Sequence, residues 1–169
     1  SNIKKLANKL KEDFGRDVKA FMNYAKEKYL NGQINDVQDI CWLYQYFISD
    51  EKDRVYKNLM KGIKVSKEDI PFATQLFTPD WVVKYLVDNS LSKAIKEKNL
   101  EDIKFLDPCQ GTGLILLYAF DVLKEAYLKQ GYSEDQAINN ILTKNLYGID
   151  IDENVCSIAR LTLLLKAKC

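Results

Sequence analysis

An acidic residue and two glycines lie where a short apolar segment gives way to a long apolar helix. Asp107 ends the run that begins at Ile103, and Gly111 and Gly113 follow it closely. In a parallel sheet, ligands bind where strands end and the next helices begin. Glycines let the backbone approach a ligand, and the first turn of a helix offers free N–H groups and a positive dipole end. The spacing therefore predicts a nucleotide-type pocket with Asp107 beside it.

A second acidic residue, Asp150, follows a second short apolar segment at residues 145–149. A carboxylate at this place can accept hydrogen bonds from the hydroxyl groups of a ribose. The Gly-Lys-Ser/Thr phosphate loop is absent, and Leu116 stands where the dinucleotide fingerprint requires its third glycine. S-adenosylmethionine fits the pattern, since it carries a ribose and an amino acid but no phosphate. Alternatively, Asp107 and Asp150 only cap the turns that follow them.

Helical periodicity precedes these segments. Apolar residues recur at spacings of three and four along residues 3–61, which predicts helices. Thr78, followed by Pro79 and an acidic residue, predicts an N-cap for a helix that ends near Asn89. The irregular stretch from Ala73 to Phe77 predicts a loop.

The order strand, helix, helix, strand, helix predicts two parallel strands joined by helical crossovers. We therefore expect an α/β fold: a partial Rossmann-like sheet preceded by a helical segment, and predominantly α by content. The expected domains are a helical N-terminal segment, residues 1–65, and a ligand-binding part, residues 66–169. Two strands make an incomplete parallel sheet, so the sequence is expected to be cut short.

Composition excludes several classes of protein. The chain has 169 residues, a formal net charge of +1, no histidine, and four cysteines without metal-ligand spacing. A structural zinc site is therefore not expected, nor any other metal. Near-neutral charge argues against binding through phosphate attraction alone. The apolar runs are too short for a membrane span, and scattered thiols predict a reducing, cytoplasmic location.

Three segments in order resemble the motifs of amino-group DNA methyltransferases. Residues 107–113, Asp-Pro-Cys-Gln-Gly-Thr-Gly, are similar to the cofactor motif Asp-Pro-x-x-Gly-Ser/Thr-Gly, with Cys-Gln in place of the more usual Ala-Cys. Residues 73–85 resemble the motif just upstream, and residues 145–152 resemble the ribose-binding strand. The preceding helices resemble the lead-in of large adenine-specific enzymes of type II restriction-modification and bacteriophage-exclusion systems.

The resemblance implies a class I methyltransferase fold with S-adenosylmethionine as cofactor, and it assigns roles to single residues. The methionine side of the cofactor would be lined by Asp107, Pro108, Gly111 and Gly113. Its carboxylate end would be contacted by Thr78, Thr74 and Phe77. The ribose hydroxyls would bind Asp150, with Ile151 beside the adenine ring.

The resemblance also implies a reaction: methylation of the exocyclic amine of a flipped adenine in DNA. Its catalytic motif, Asn/Asp-Pro-Pro-Tyr/Phe, is absent from the chain and is expected beyond Cys169, so no catalytic residue is assigned here and the chain alone is expected to be inactive. DNA is the expected partner, and the oligomeric state stays open. Two alternatives remain: methylation of an amine in RNA or protein, and a helical interaction or specificity module without catalysis.

Overall fold

The structure is a computed structural model that describes residues 2–168, apart from the side chain of residue 2. The elements are, in chain order, α1 (Asn2–Phe14), α2 (Val18–Leu30), α3 (Val37–Phe47), α4 (Ser49–Met60), α5 (Ile70–Thr74), α6 (Asp80–Glu97), β1 (Phe105–Asp107), α7 (Leu114–Lys129), α8 (Glu134–Asn140), β2 (Leu146–Gly148) and α9 (Glu153–Lys166). The chain divides into two compact units, Ser1–Phe77 and Thr78–Cys169.

The first unit is helical. Its core is aromatic: the ring of Phe21 lies 5.4 Å from that of Tyr44 and 5.1 Å from that of Phe47, between ring centroids. These three aromatic side chains are buried and form the core of the unit. Helix α3 begins after an N-cap residue, Asp36, whose carboxylate accepts a hydrogen bond from the backbone N–H of Gln38 at 2.9 Å.

The second unit contains the sheet. Strands β1 and β2 pair in parallel, with Asp107 opposite Gly148 in register. Helix α7 packs against α6, α8, α9 and β2, and it is apolar on most sides, as expected for a buried helix. The predicted architecture, predominantly helical with two parallel strands, is confirmed. Parallel pairing brings the residues that follow both strands to one edge of the sheet, where the two acidic residues meet the glycine turn.

Helix α6 differs from the prediction at both ends. Pro79 takes the N-cap position with an extended ψ of 148°, so the helix begins at Asp80 and Thr78 does not cap it. The helix continues to Glu97, well past Asn89, because its apolar face continues through Leu91 and packs into the core. The polar residue Asn89 is accommodated by donating its side-chain amide to the backbone carbonyl of Tyr85.

The segment predicted as an irregular loop is partly helical. Ala73 and Thr74 belong to α5, and the Thr74 hydroxyl donates to the backbone carbonyl of Ile70 at 2.9 Å. Residues 75–79 belong to no helix or strand, as expected for a loop. Among the helices that the structure describes, none is both long and apolar enough to cross a membrane.

Candidate functional site

Asp107 ends β1 as a buried carboxylate. Only 6% of its surface is exposed. One oxygen, Oδ1, accepts a hydrogen bond from the backbone N–H of Cys109 at 3.1 Å. The other, Oδ2, is buried and has no hydrogen-bond partner among residues 2–168. Burial raises the pKa of Asp107, the N–H of Cys109 lowers it, and the charge of Asp150 raises it further. One of the two carboxylate oxygens, Oδ2, is thus buried without a partner in the described part of the chain.

The turn after β1 is built on two glycines with positive φ, 52° at Gly111 and 91° at Gly113. Gly113 precedes the first residue of α7, and no side chain caps that helix end in the described part of the chain. A Cβ atom at Gly113 would lie 3.0 Å from the Cβ of Ala159 on α9, closer than real Cβ atoms normally come. The conformation and the tight packing both require glycine. The turn thus packs closely against α9, and its N-cap residue Gly113 has no side chain that could cap α7.

Asp150 joins the second strand to this turn. Its Oδ2 accepts a hydrogen bond from the backbone N–H of Gly111 at 2.9 Å, and its Oδ1 accepts one from the N–H of Asp152 at 3.0 Å. A carboxylate has about four lone-pair positions, so each oxygen can accept one more donor. Ile151, the next residue, is 79% exposed. Turn-capping and ligand binding, which the sequence left as alternatives, are thus compatible at Asp150.

Six of the predicted residues lie at this one edge of the sheet: Asp107, the exposed Pro108, Gly111, Gly113, Asp150 and Ile151. Three others lie outside it in sequence and stay predictions as cofactor contacts: Thr74 and Phe77 in the first unit, and Thr78, which begins the second. The ring of Phe77 is 5.1 Å from the ammonium of Lys52, which also donates to the backbone carbonyl of Gln75. Burial lowers the pKa of Lys52.

A contact that sequence reasoning missed lies behind the glycine turn. The side-chain amide of Gln110 donates to Sγ of Cys156 on α9 at 3.2 Å, across 46 residues of sequence. The sequence carried no signal for this pair, because neither residue belongs to a motif that requires it. No set of three or more histidine, cysteine, aspartate or glutamate side chains in residues 2–168 could hold a metal ion.

Comparison with known proteins places this geometry in a family. Residues 49–168 match the family described as N-6 DNA Methylase. The chain is 35% identical to the adenine-specific methyltransferase PglX of Lacticaseibacillus casei (strain Zhang), covering 78% of this chain and 14% of the relative. It is 32% identical to the adenine-specific methyltransferase BrxX of Escherichia coli O9:H4 (strain HS), covering 84% and 15%.

A third relative is the type II restriction enzyme and methyltransferase RM.Eco57I of Escherichia coli, 30% identical over 73% of this chain and 14% of the relative. The chain thus spans only 14 to 15% of the length of these three relatives. The matched region includes both strands, the glycine turn and both acidic residues of the site. By this match, the chain belongs to the N-6 DNA methylase family.

Proposed function

We propose that the chain is part of a DNA methyltransferase that transfers a methyl group from S-adenosylmethionine to the exocyclic amine of adenine in DNA, in a restriction-modification or phage-defence setting. Residues 66–169 would supply the cofactor-binding part, and DNA would be the partner. Family membership and the printed names of the relatives support the reaction class. The observation that carries the cofactor assignment is the unpartnered, buried oxygen of Asp107.

The residues present fit this cofactor chemically. A buried carboxylate without a partner is unfavourable, and a cationic group placed beside it removes the penalty. The ammonium group of the cofactor's amino-acid tail is such a cation. Asp150 retains one acceptor position on each oxygen for the ribose hydroxyls, and Ile151 offers an exposed apolar side chain for the adenine ring.

Charge at the site disfavours a phosphate-bearing ligand. Two carboxylates, Asp107 and Asp150, flank the glycine turn, and their mutual repulsion contributes to the raised pKa of Asp107. A phosphate at the same turn would add a further negative charge. In the described chain, no lysine or arginine forms an ion pair with Asp107 or Asp150 that would offset it. A ligand with a positive tail and no phosphate is favoured.

When bound, the cofactor supplies a methyl group activated by a sulfonium centre. In this proposal Asp107 holds the tail, the glycine turn allows the backbone to approach it, and Asp150 fixes the ribose. Such residues act by orienting the reactants, which lowers the barrier of a direct displacement. The chain's own contribution is therefore positioning.

Calorimetry with S-adenosylhomocysteine tests the site. The double variant Asp107→Ala/Asp150→Ala is expected to bind at least ~100-fold more weakly than the wild type, because it removes both the partner of the ammonium and the ribose acceptor. Asp152→Asn is the matched control: asparagine is an equally good N-cap for α9, so this variant is expected to bind normally. Normal binding by the double variant would contradict the assignment.

The acceptor requires a separate measurement. A full-length protein that contains this chain is incubated with S-adenosylmethionine and DNA, RNA or protein substrates, because the chain itself lacks the Asn/Asp-Pro-Pro-Tyr/Phe motif. The modified products are identified by mass spectrometry. N6-methyladenine in DNA is the expected product. Methylation confined to RNA or protein would contradict the proposed acceptor while leaving the cofactor assignment intact.

A further inference from the structure

Gln110 is held at the centre of the glycine turn by contacts on both sides. Its backbone N–H donates to the carbonyl of Ile149 at 3.0 Å, and its own carbonyl accepts the N–H of Gly113 at 2.8 Å. Its side-chain amide extends further, to Sγ of Cys156 in α9. The residue therefore contacts the turn, the segment after β2 and the next helix at once.

The side chain of Gln110 lies where a side chain at position 148 of β2 would otherwise be. A Cβ atom at Gly148 would lie 1.9 Å from Oε1 of Gln110 and 2.6 Å from its Cδ. Gly148 therefore has to be glycine for the amide to lie over the end of β2. Since Gly148 does not have a positive φ, this close approach is the reason for glycine at the position.

Cys156 also contacts Asp150, the residue assigned to the ribose. Its Sγ lies 3.8 Å from the backbone carbonyl oxygen of Asp150, to which the thiol donates. Gln110, Cys156 and Asp150 thus form a chain of contacts that runs behind the turn. The Asp150 carboxylate contacts the glycine turn directly as well, because it accepts a hydrogen bond from the N–H of Gly111.

We infer that Gln110 is a positioning residue: through Cys156 and the space above Gly148, it fixes the spacing between the glycine turn and Asp150. This role rests on the proposed function, since the two ends it joins are those assigned to the amino-acid tail and the ribose of one cofactor. Gln110 acts through Cys156 and Asp150 rather than through the ligand. Gln110 is therefore expected to affect how well the site binds the amino-acid tail and the ribose of one cofactor at the same time.

A double-mutant cycle tests the inference, with S-adenosylhomocysteine affinity as readout and thermal melting as the check on folding. Gln110→Ala and Cys156→Val each remove one partner, and each is expected to weaken binding about 3- to 10-fold, as for a lost neutral hydrogen bond. The double variant is expected to lose less affinity than the product of the two single losses, because both changes break the Gln110–Cys156 contact and only Cys156→Val also removes the hydrogen bond to the Asp150 carbonyl. Cys156→Ser keeps an acceptor and is expected to restore wild-type affinity.

A second readout separates positioning from a general structural effect. Adenosine alone occupies only the ribose end, so its affinity is expected to change less than about 2-fold in Gln110→Ala, whereas a loosened fold would lower both affinities. Additive losses in the cycle, failure of the serine variant to rescue, or equal losses for both ligands would overturn the positioning role. If the wild type itself bound no S-adenosylhomocysteine, the proposed function would fail first and this role with it.

Discussion

Replacement of Asp107 by asparagine is expected to raise the stability of the protein at neutral pH by about 1 kcal/mol and to weaken S-adenosylhomocysteine binding about 100-fold. The gain follows from the buried Oδ2, which has no partner among residues 2–168, and from burial, which disfavours the charged form and raises the pKa of Asp107. Asparagine removes the carboxylate charge and keeps an oxygen for the N–H of Cys109. Its neutral amide N–H groups are buried in place of Oδ2, which offsets part of the gain and keeps it near about 1 kcal/mol. The loss of binding follows because the ammonium group would lose its counter-charge.

The raised pKa of Asp107 fixes how this gain depends on pH. A carboxyl group whose pKa is higher in the folded than in the unfolded state contributes stability that is fully present below its unfolded pKa, near about 4, and lost as pH rises through the folded pKa. The wild type is therefore penalised at neutral pH and the variant is not. The difference between them should shrink as the pH falls through the folded pKa towards about 4, and it should stay constant below that.

Chemical denaturation between pH 3.5 and 8, together with calorimetry, measures both effects. Asp152→Asn is the control, because Asp152 caps α9 from an N-cap position that asparagine also suits and is not assigned to the cofactor. A variant that is less stable than the wild type at every pH would show that the Asp107 charge is compensated in the free protein. Unchanged affinity would show that no cation binds there.

The sequence predicted the part of the site whose conformation depends on residues close to one another in the chain. Asp107 and Gly113 are six residues apart, and the strand–turn–helix they belong to follows from local pattern and from the need for positive φ. Asp150 was found because parallel strands bring their ends to one edge. The missing phosphate-binding motifs favoured S-adenosylmethionine as the ligand, and the resemblance to methyltransferases implied the same cofactor.

What the sequence did not predict depends on contacts across long stretches of chain. Gln110 meets Cys156 across 46 residues, and no periodicity encodes that. The end of α6 was placed too early because Asn89 looks like a helix terminator, whereas its side chain bonds to the helix's own backbone. Local signals identify caps and turns, but tertiary packing decides how far a helix continues.

The most destabilising single change is expected at Asn145, on the opposite edge of the sheet from the site. The residue is fully buried and lies immediately before β2. Its amide donates to the carbonyls of Leu100 at 2.7 Å and Ile103 at 2.9 Å, and its Oδ1 accepts the hydroxyl of Tyr127 at 2.9 Å. One side chain thus joins the start of β2 to the segment that leads into β1 and to α7.

Asn145→Ala is expected to lower the free energy of unfolding by about 3 to 5 kcal/mol, because it removes three buried hydrogen bonds and leaves a small cavity. Asn139→Ala is the matched control: Asn139 is exposed on α8, and its loss is expected to change stability by less than about 0.5 kcal/mol. Tyr127→Phe, which removes only the hydroxyl, should fall between the two. Urea denaturation followed by circular dichroism gives all three values.

The same network explains why the site depends on a residue that no ligand reaches. The register that sets Asp107 opposite Gly148 begins at the pairing of Phe105 with Leu146, the residue after Asn145. A loosened Asn145 network would therefore shift the glycine turn relative to Asp150. If Asn145→Ala stays folded at low temperature, its affinity for S-adenosylhomocysteine is expected to fall along with its stability. Affinity that stays at the wild-type value would show that the turn and Asp150 hold their own geometry.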